Sequence, residues 1–149
     1  MENQEQFERV KRWYSRIRDI YQGKPHIFPS DYYQDEVYAF FLNCYHLKDW
    51  IKNDDTVEPS KKNNVENFIN QNECMKICAD ICNGIKHLKR EKNRSGKDPE
   101  FGNRKFSLDL GESKAIIKVS FSIMTKTGTI DAFELASECV QKWEEFIKA

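Results

Sequence analysis

The sequence predicts a mainly α-helical protein: an antiparallel bundle of four or five helices, with a small β-hairpin or three-stranded meander inserted before the C-terminal helix. Three observations carry that reading. Apolar residues recur every three or four positions in five separate segments, the spacing that gathers them on one helix face. Between residues 105 and 124 the pattern changes to alternation, the period of a half-buried strand. Near the end, Asp131 stands three residues before Glu134 and ahead of an apolar run, a capping-box start for a last helix. The 149 residues are 39% hydrophobic and 32% charged, which fits one ordinary globular domain over 1–149. Lys and Arg number 24 and Asp and Glu 24, so no global field points to nucleic acid or lipid. No apolar run reaches the roughly 20 residues that a bilayer requires. The polar, acidic start Met1–Gln6 is unlike a secretion signal, and the expected location is the cytoplasm.

The first helix is expected over 2–22. Phe7, Val10, Trp13, Tyr14, Ile17 and Ile20 hold the helical spacing, and Gly23 with Pro25 stops it. Its outer face carries Arg9, Lys11, Arg12, Arg16 and Arg18 interleaved with Glu5, Glu8 and Asp19. That is a solvated face, with RNA or acidic lipid as the alternative contact. A second helix over 31–52, capped by Ser30 or Asp31, is apolar nearly all round. Such a helix belongs in the middle of a bundle. Asn53-Asp54-Asp55 breaks the pattern, and Glu58-Pro59-Ser60 restarts it for a short helix over 61–71. Gln71–Glu73 kinks the chain before a central helix over 74–90. A polar connection containing Gly and Pro then runs to Asn103. Strands over 105–110 and 115–124 flank the turn Gly111-Glu112-Ser113, and Thr127-Gly128 marks a second turn. The last helix, 131–147, turns Ala132, Leu135, Cys139, Trp143 and Phe146 to one side.

Cysteines stand at 44, 74, 78, 82 and 139. Their odd number and helical placement argue for reduced, buried thiols. Cys74, Cys78 and Cys82 make a ladder on one helix face, read as core packing. The other reading is a thiolate metal site with His87 as fourth ligand. Structural zinc sites instead use pairs in turns that let ligands converge. Neither a metal nor another cofactor is expected.

The chemistry-bearing stretch is Ala79–Arg90. Asp80, Asn83 and His87 share one helix stripe beside the apolar one. Gly84 inside a helix points to close approach of another element. On the second helix His46 and Asp49 lie one helical step apart, either tethering two helices or supporting His87 across the bundle. From Lys86 through Lys105 there are eight Lys or Arg against three Asp or Glu, the one charge concentration in the chain. Lys86, Lys89, Arg90, Lys92 and Arg94 are the candidate RNA-phosphate contacts in it. A solvated loop of incidental charge is the alternative.

Cys82-Asn83-Gly84-Ile85-Lys86-His87 resembles the signature of the HEPN superfamily (higher eukaryotes and prokaryotes nucleotide-binding). There an Arg is followed by a polar residue and, after three more, by a His. Asn83 matches the polar position and His87 the His. Tyr45–Trp50 taken with Asp80–His87 is similar to uncharacterised bacterial proteins grouped near that superfamily. The resemblance covers about residues 30–90. It implies a helical bundle, a homodimer with two motif histidines facing across a cleft, and metal-independent RNA cleavage in toxin–antitoxin or phage-defence systems. In that chemistry a His moves the ribose 2′-OH proton and an Arg stabilises phosphate charge. This sequence has Cys82 where the family has Arg.

Three functions are therefore in play. One is a non-catalytic or weakly catalytic HEPN-like module that binds RNA, a nucleotide or a protein. Another is an endoribonuclease, with His87 as acid/base, Asn83 orienting it and His46, Asp49 and Asp80 in support. The last is an interaction or structural protein in which those polar residues fix helix register.

Overall fold

A computed structural model describes residues 2–25, 29–86, 94–97, 99–110 and 115–149; side chains at 30, 85, 86, 100–110 and 115–117 fall outside that description. The chain runs α1 (Glu2–Gln22), β1 (Lys24–Pro25), α2 (Ser30–Asn53), α3 (Pro59–Gln71), α4 (Glu73–Lys86), β2 (Glu100–Leu110), β3 (Ala115–Thr125), β4 (Gly128–Asp131) and α5 (Ala132–Lys148). A mainly helical fold with a small antiparallel sheet ahead of the last helix is what the residue pattern predicts.

Helix α2 is the axis of the bundle and packs against α1, α3, α4 and α5. The reason lies in its sequence: Tyr33, Val37, Phe40, Phe41, Cys44, Leu47 and Ile51 spread round the helix, and all are buried. Polar bonds fix how its neighbours sit. Trp143 on α5 is fully buried, and its indole N–H donates to the Cys44 carbonyl at 2.9 Å. Gln6 on α1 donates to the Asn43 carbonyl at 3.1 Å. Asp54, just past α2, accepts from the backbone N–H and side-chain amide of Asn3 at 3.0 and 2.6 Å, which ties down the first turn of α1. Those bonds hold the Asp54 carboxyl well below its ordinary range.

Helix boundaries differ from the expected ones where proline sets the chain. Helix α2 begins at Ser30 with Pro29 as N-cap residue, so no side-chain cap bond forms there and Asp31 already lies inside the first turn. Helix α3 begins at Pro59, whose fixed φ suits the first helical position, rather than at Lys61. The kink between α3 and α4 is the single extended residue Asn72. Its carbonyl accepts from Met75 and Lys76 at 3.0 and 3.1 Å, and its side chain closes α3 on the Phe68 carbonyl at 2.7 Å. Helix α4 is described to Lys86; the expected extension over 87–90 lies outside the described residues. Asp131 caps α5 as expected, accepting from the Glu134 N–H at 3.0 Å.

Strand β3 is the centre of the sheet. It pairs along its length with β2 on one edge, from Glu100↔Met124 to Leu110↔Ala115. The other edge is shared by β1 (Lys24↔Ile117) and β4 (Ile123↔Ile130). Two features went beyond the alternation pattern. Strand β2 starts at Glu100 instead of 105, because a register shift between Phe101 and Arg104 inserts Gly102 and Asn103 without ending the pairing. The Pro-containing connection after α1 supplies β1, a two-residue strand too short to show a period. The sheet packs through Val119, Phe121 and Ile123 onto α1 and α5. No helix among the described residues is long and apolar enough to cross a membrane.

Candidate functional site

The polar stripe on α4 begins with Asp80, which is fully buried. A buried carboxylate needs donors, and the segment 94–97 supplies them. Asp80 Oδ1 accepts from the Arg94 N–H at 2.7 Å. Its Oδ2 accepts from the Ser95 N–H at 2.9 Å and the Ser95 hydroxyl at 2.5 Å. Gly96 follows at φ +68°, the left-handed conformation that lets the chain turn away at once. Lys97 then pairs with Glu73 at 3.1 Å, and its carbonyl accepts from the Lys126 N–H at 2.8 Å. Asp80 is therefore the anchor by which α4 holds the second half of the basic connection.

Arg94 reaches from that anchor to α3. Its guanidinium donates to Glu66 Oε2 at 3.0 Å and to Asn70 Oδ1 at 3.3 Å, and lies 5.9 Å from the Tyr45 ring centre. The other Glu66 oxygen accepts from Lys48 at 3.2 Å and Lys52 at 2.5 Å, both from α2. Lys48 also donates to the Tyr45 hydroxyl at 2.9 Å and sits 4.4 Å over its ring. Burial of Glu66 favours its neutral form, but the bonds from Lys52, Arg94 and Lys48 outweigh it and pull the carboxyl down to about 2. Burial likewise opposes charge on Lys48, and its bonds to Tyr45 and Glu66 more than offset that, raising its pKa. Three cations share the Glu66 carboxylate, and the Asp80 carboxylate holds the same segment, so one positive charge is in surplus where α2, α3 and the 94–97 segment meet.

The remaining motif residues divide as follows. Cys82, at the position of the family's Arg, is 1% exposed, and its Sγ lies 3.8 Å from His46 Nε2. Asn83 is half-buried on α4. Asp49 is exposed on α2, and no hydrogen bond or ion pair joins it to His46 or Asp80. The structure thus brings together His46 with Cys82 and Asp80 with Arg94, but not His46 with Asp49. His87, Lys89, Arg90 and Lys92, and the side chain of Lys86, lie outside the described residues. A cavity of about 200 Å³ lined by Ile51, Val57, Phe146 and Ile147 among others contains none of the motif residues.

The five cysteines are reduced and buried, as their placement predicts. Their arrangement is not a ladder alone. The Sγ atoms of Cys44 on α2, Cys78 on α4 and Cys139 on α5 lie within 4.8 Å of one another. Cys78 donates to the Phe41 carbonyl at 3.7 Å and Cys139 to the Cys74 carbonyl at 3.4 Å. Burial opposes ionisation of Cys44, yet the neighbouring Cys139 and Cys78 thiols and the Trp143 indole outweigh it and shift its thiol down. Burial pushes Cys78 up, and the bonds to Cys44, Cys74 and Cys78 push Cys139 up.

Periodicity gave no sign of Lys48, Lys52 and Glu66, though Lys48 and Lys52 are one helical turn apart. The convergence of Cys44 and Cys139 on Cys78 had no local signal at all. Comparison with protein-family models, with curated proteins and with solved structures returned no match.

Proposed function

We propose that this chain is a non-catalytic HEPN-like module that binds RNA through phosphate contacts, working as a cytoplasmic homodimer in a bacterial defence or toxin–antitoxin setting. The observation that carries the reading is the burial of Cys82. A phosphate-handling Arg needs an exposed position, and position 82 is sealed in the core beside His46. What supports RNA as the ligand is the positive surplus around Glu66, which Arg94 joins in sequence to the basic stretch holding Lys86, Lys89, Arg90 and Lys92. Arg94 in this reading is a positioning residue, since Glu66 and Asn70 already occupy its guanidinium.

The test is anisotropy of a labelled single-stranded RNA across a salt series, with light scattering to read the oligomer. Binding should weaken steeply with salt. Replacing Lys86, Lys89, Arg90 and Lys92 together by Ala should flatten the salt slope by about 3, at about 0.7 per phosphate contact. Absence of binding, or binding indifferent to salt, contradicts the reading.

A second reading rests on the anchor itself: Asp80 and Arg94 are engaged in holding the connection to α3 and α4, which is a structural task. It predicts that their substitution lowers stability and leaves RNA affinity alone.

A further inference from the structure

The three thiols at the crossing of α2, α4 and α5 have no part in RNA binding, and they come from three distant points of the chain. Cys44, Cys78 and Cys139 are each 0% exposed. Three sulfurs sharing one ion at about 2.3 Å would stand about 4 Å apart. All pairs here lie within 4.8 Å, so a contraction of less than about 1 Å would bring the three sulfurs onto a common ion. Buried Cys packs a helix crossing as a small hydrophobe. Thiols on all three helices at one point add to that a converging set of soft donors.

We propose that Cys44, Cys78 and Cys139 form a three-thiolate site for a soft d10 metal ion, Cu(I) in preference to Zn(II). Sulfur-only ligation in a dry, apolar environment selects soft ions over Mg(II), Ca(II) or Mn(II), which take oxygen. The number of donors separates Cu(I) from Zn(II). Structural Zn(II) sites are four-coordinate and closed. Cys74 lies one turn from Cys78 on α4, but it falls outside the set of sulfurs that are mutually within 4.8 Å. Three donors match Cu(I) as they stand. Each thiol that ligates releases its proton to solvent as the ion enters, and the ion keeps its oxidation state. Because the sulfurs are sealed, entry requires α5 to part from α2 and α4, so binding is coupled to folding. The ion would then cross-link the three helices that define the core.

The test is anaerobic titration of the full chain with Cu(I) held by a chromogenic chelator, followed by X-ray absorption of the loaded protein. One Cu(I) per chain, a first shell of three sulfurs and a rise in melting temperature on loading are expected. Cys139→Ala and Cys44→Ala should each weaken uptake at least about 100-fold, beyond what losing a supporting residue costs. Cys74→Ala should retain it. Failure of the chain to compete with the chelator overturns the proposal, as does a shell containing nitrogen or oxygen. Tighter binding of Zn(II) than of Cu(I), lost in Cys74→Ala, overturns the three-coordinate assignment. The absorption measurement uses the unaltered chain, so it decides the matter even where a cysteine variant fails to fold.

Discussion

Replacing Asp80 is the sharpest test of how α4 holds the basic connection. Its carboxylate takes at least three donors, two on Oδ2 and one on Oδ1, in a position with no access to water. Hydrogen bonds to a charged group contribute about 1.5–3 kcal/mol each, but they are not additive, and the freed donors can regain water once the segment lifts. Asp80→Ala should therefore destabilise the fold by about 3–5 kcal/mol. For a chain of this size that is roughly 6–20 °C of melting temperature. Asp80→Asn keeps the shape and one acceptor oxygen. If that oxygen serves Ser95, the amide nitrogen faces the Arg94 N–H, donor against donor, and the cost falls to about 2–3 kcal/mol. Urea unfolding followed by tryptophan fluorescence reads the global loss. Limited trypsin digestion reads the local one, because cleavage after Arg94 and Lys97 should accelerate before the bundle unfolds. A change below about 0.5 kcal/mol for Asp80→Ala, with unaltered digestion, would refute the anchoring argument.

Glu66 should make stability sensitive to acid. Its folded pKa of about 2 lies below the ordinary 4.5, so its contribution is complete above pH 4.5 and is lost as pH falls towards 2. A melting-temperature series from pH 6 to 2 should show Glu66→Gln losing less on acidification than the unaltered chain, muted by the partial exposure of the cluster. Trp143→Phe removes the indole donor to Cys44 and should cost about 1–2 kcal/mol, against about 3–5 kcal/mol for Trp143→Ala, both read by urea unfolding. Asp131→Ala removes the cap bond to Glu134 and should cost about 0.5–2 kcal/mol by the same assay.

The helical architecture was legible because burial imposes its period on the sequence: the all-round apolar character of α2 is the signature of a central helix, and it is central. The N-cap at Asp131 was legible for the same local reason. What escaped were features set by tertiary pairing. Lys24–Pro25 becomes a strand only because β3 leaves an edge beside β4. Glu100 and Phe101 pair through a register shift that breaks alternation. At the site, the stripe of Asp80 and Asn83 was readable from helical spacing, but Asp80 faces Arg94 and Ser95, and no helical or strand period in the sequence records that approach. His46 meets Cys82 rather than Asp49, because helix packing turns it inward while Asp49 stays at the surface. The thiol cluster joins helices at opposite ends of the chain, and spacing alone holds no record of such a meeting.

Binding without cleavage is tested by incubating the chain and its His87→Ala variant with a mixed RNA pool in EDTA, then mapping RNA ends and measuring RNA retained. Both proteins should retain RNA at full length, with retention falling as salt rises. Shortened RNA with the unaltered chain and intact RNA with His87→Ala would contradict it, and would make the chain a metal-independent nuclease that works without an Arg at position 82.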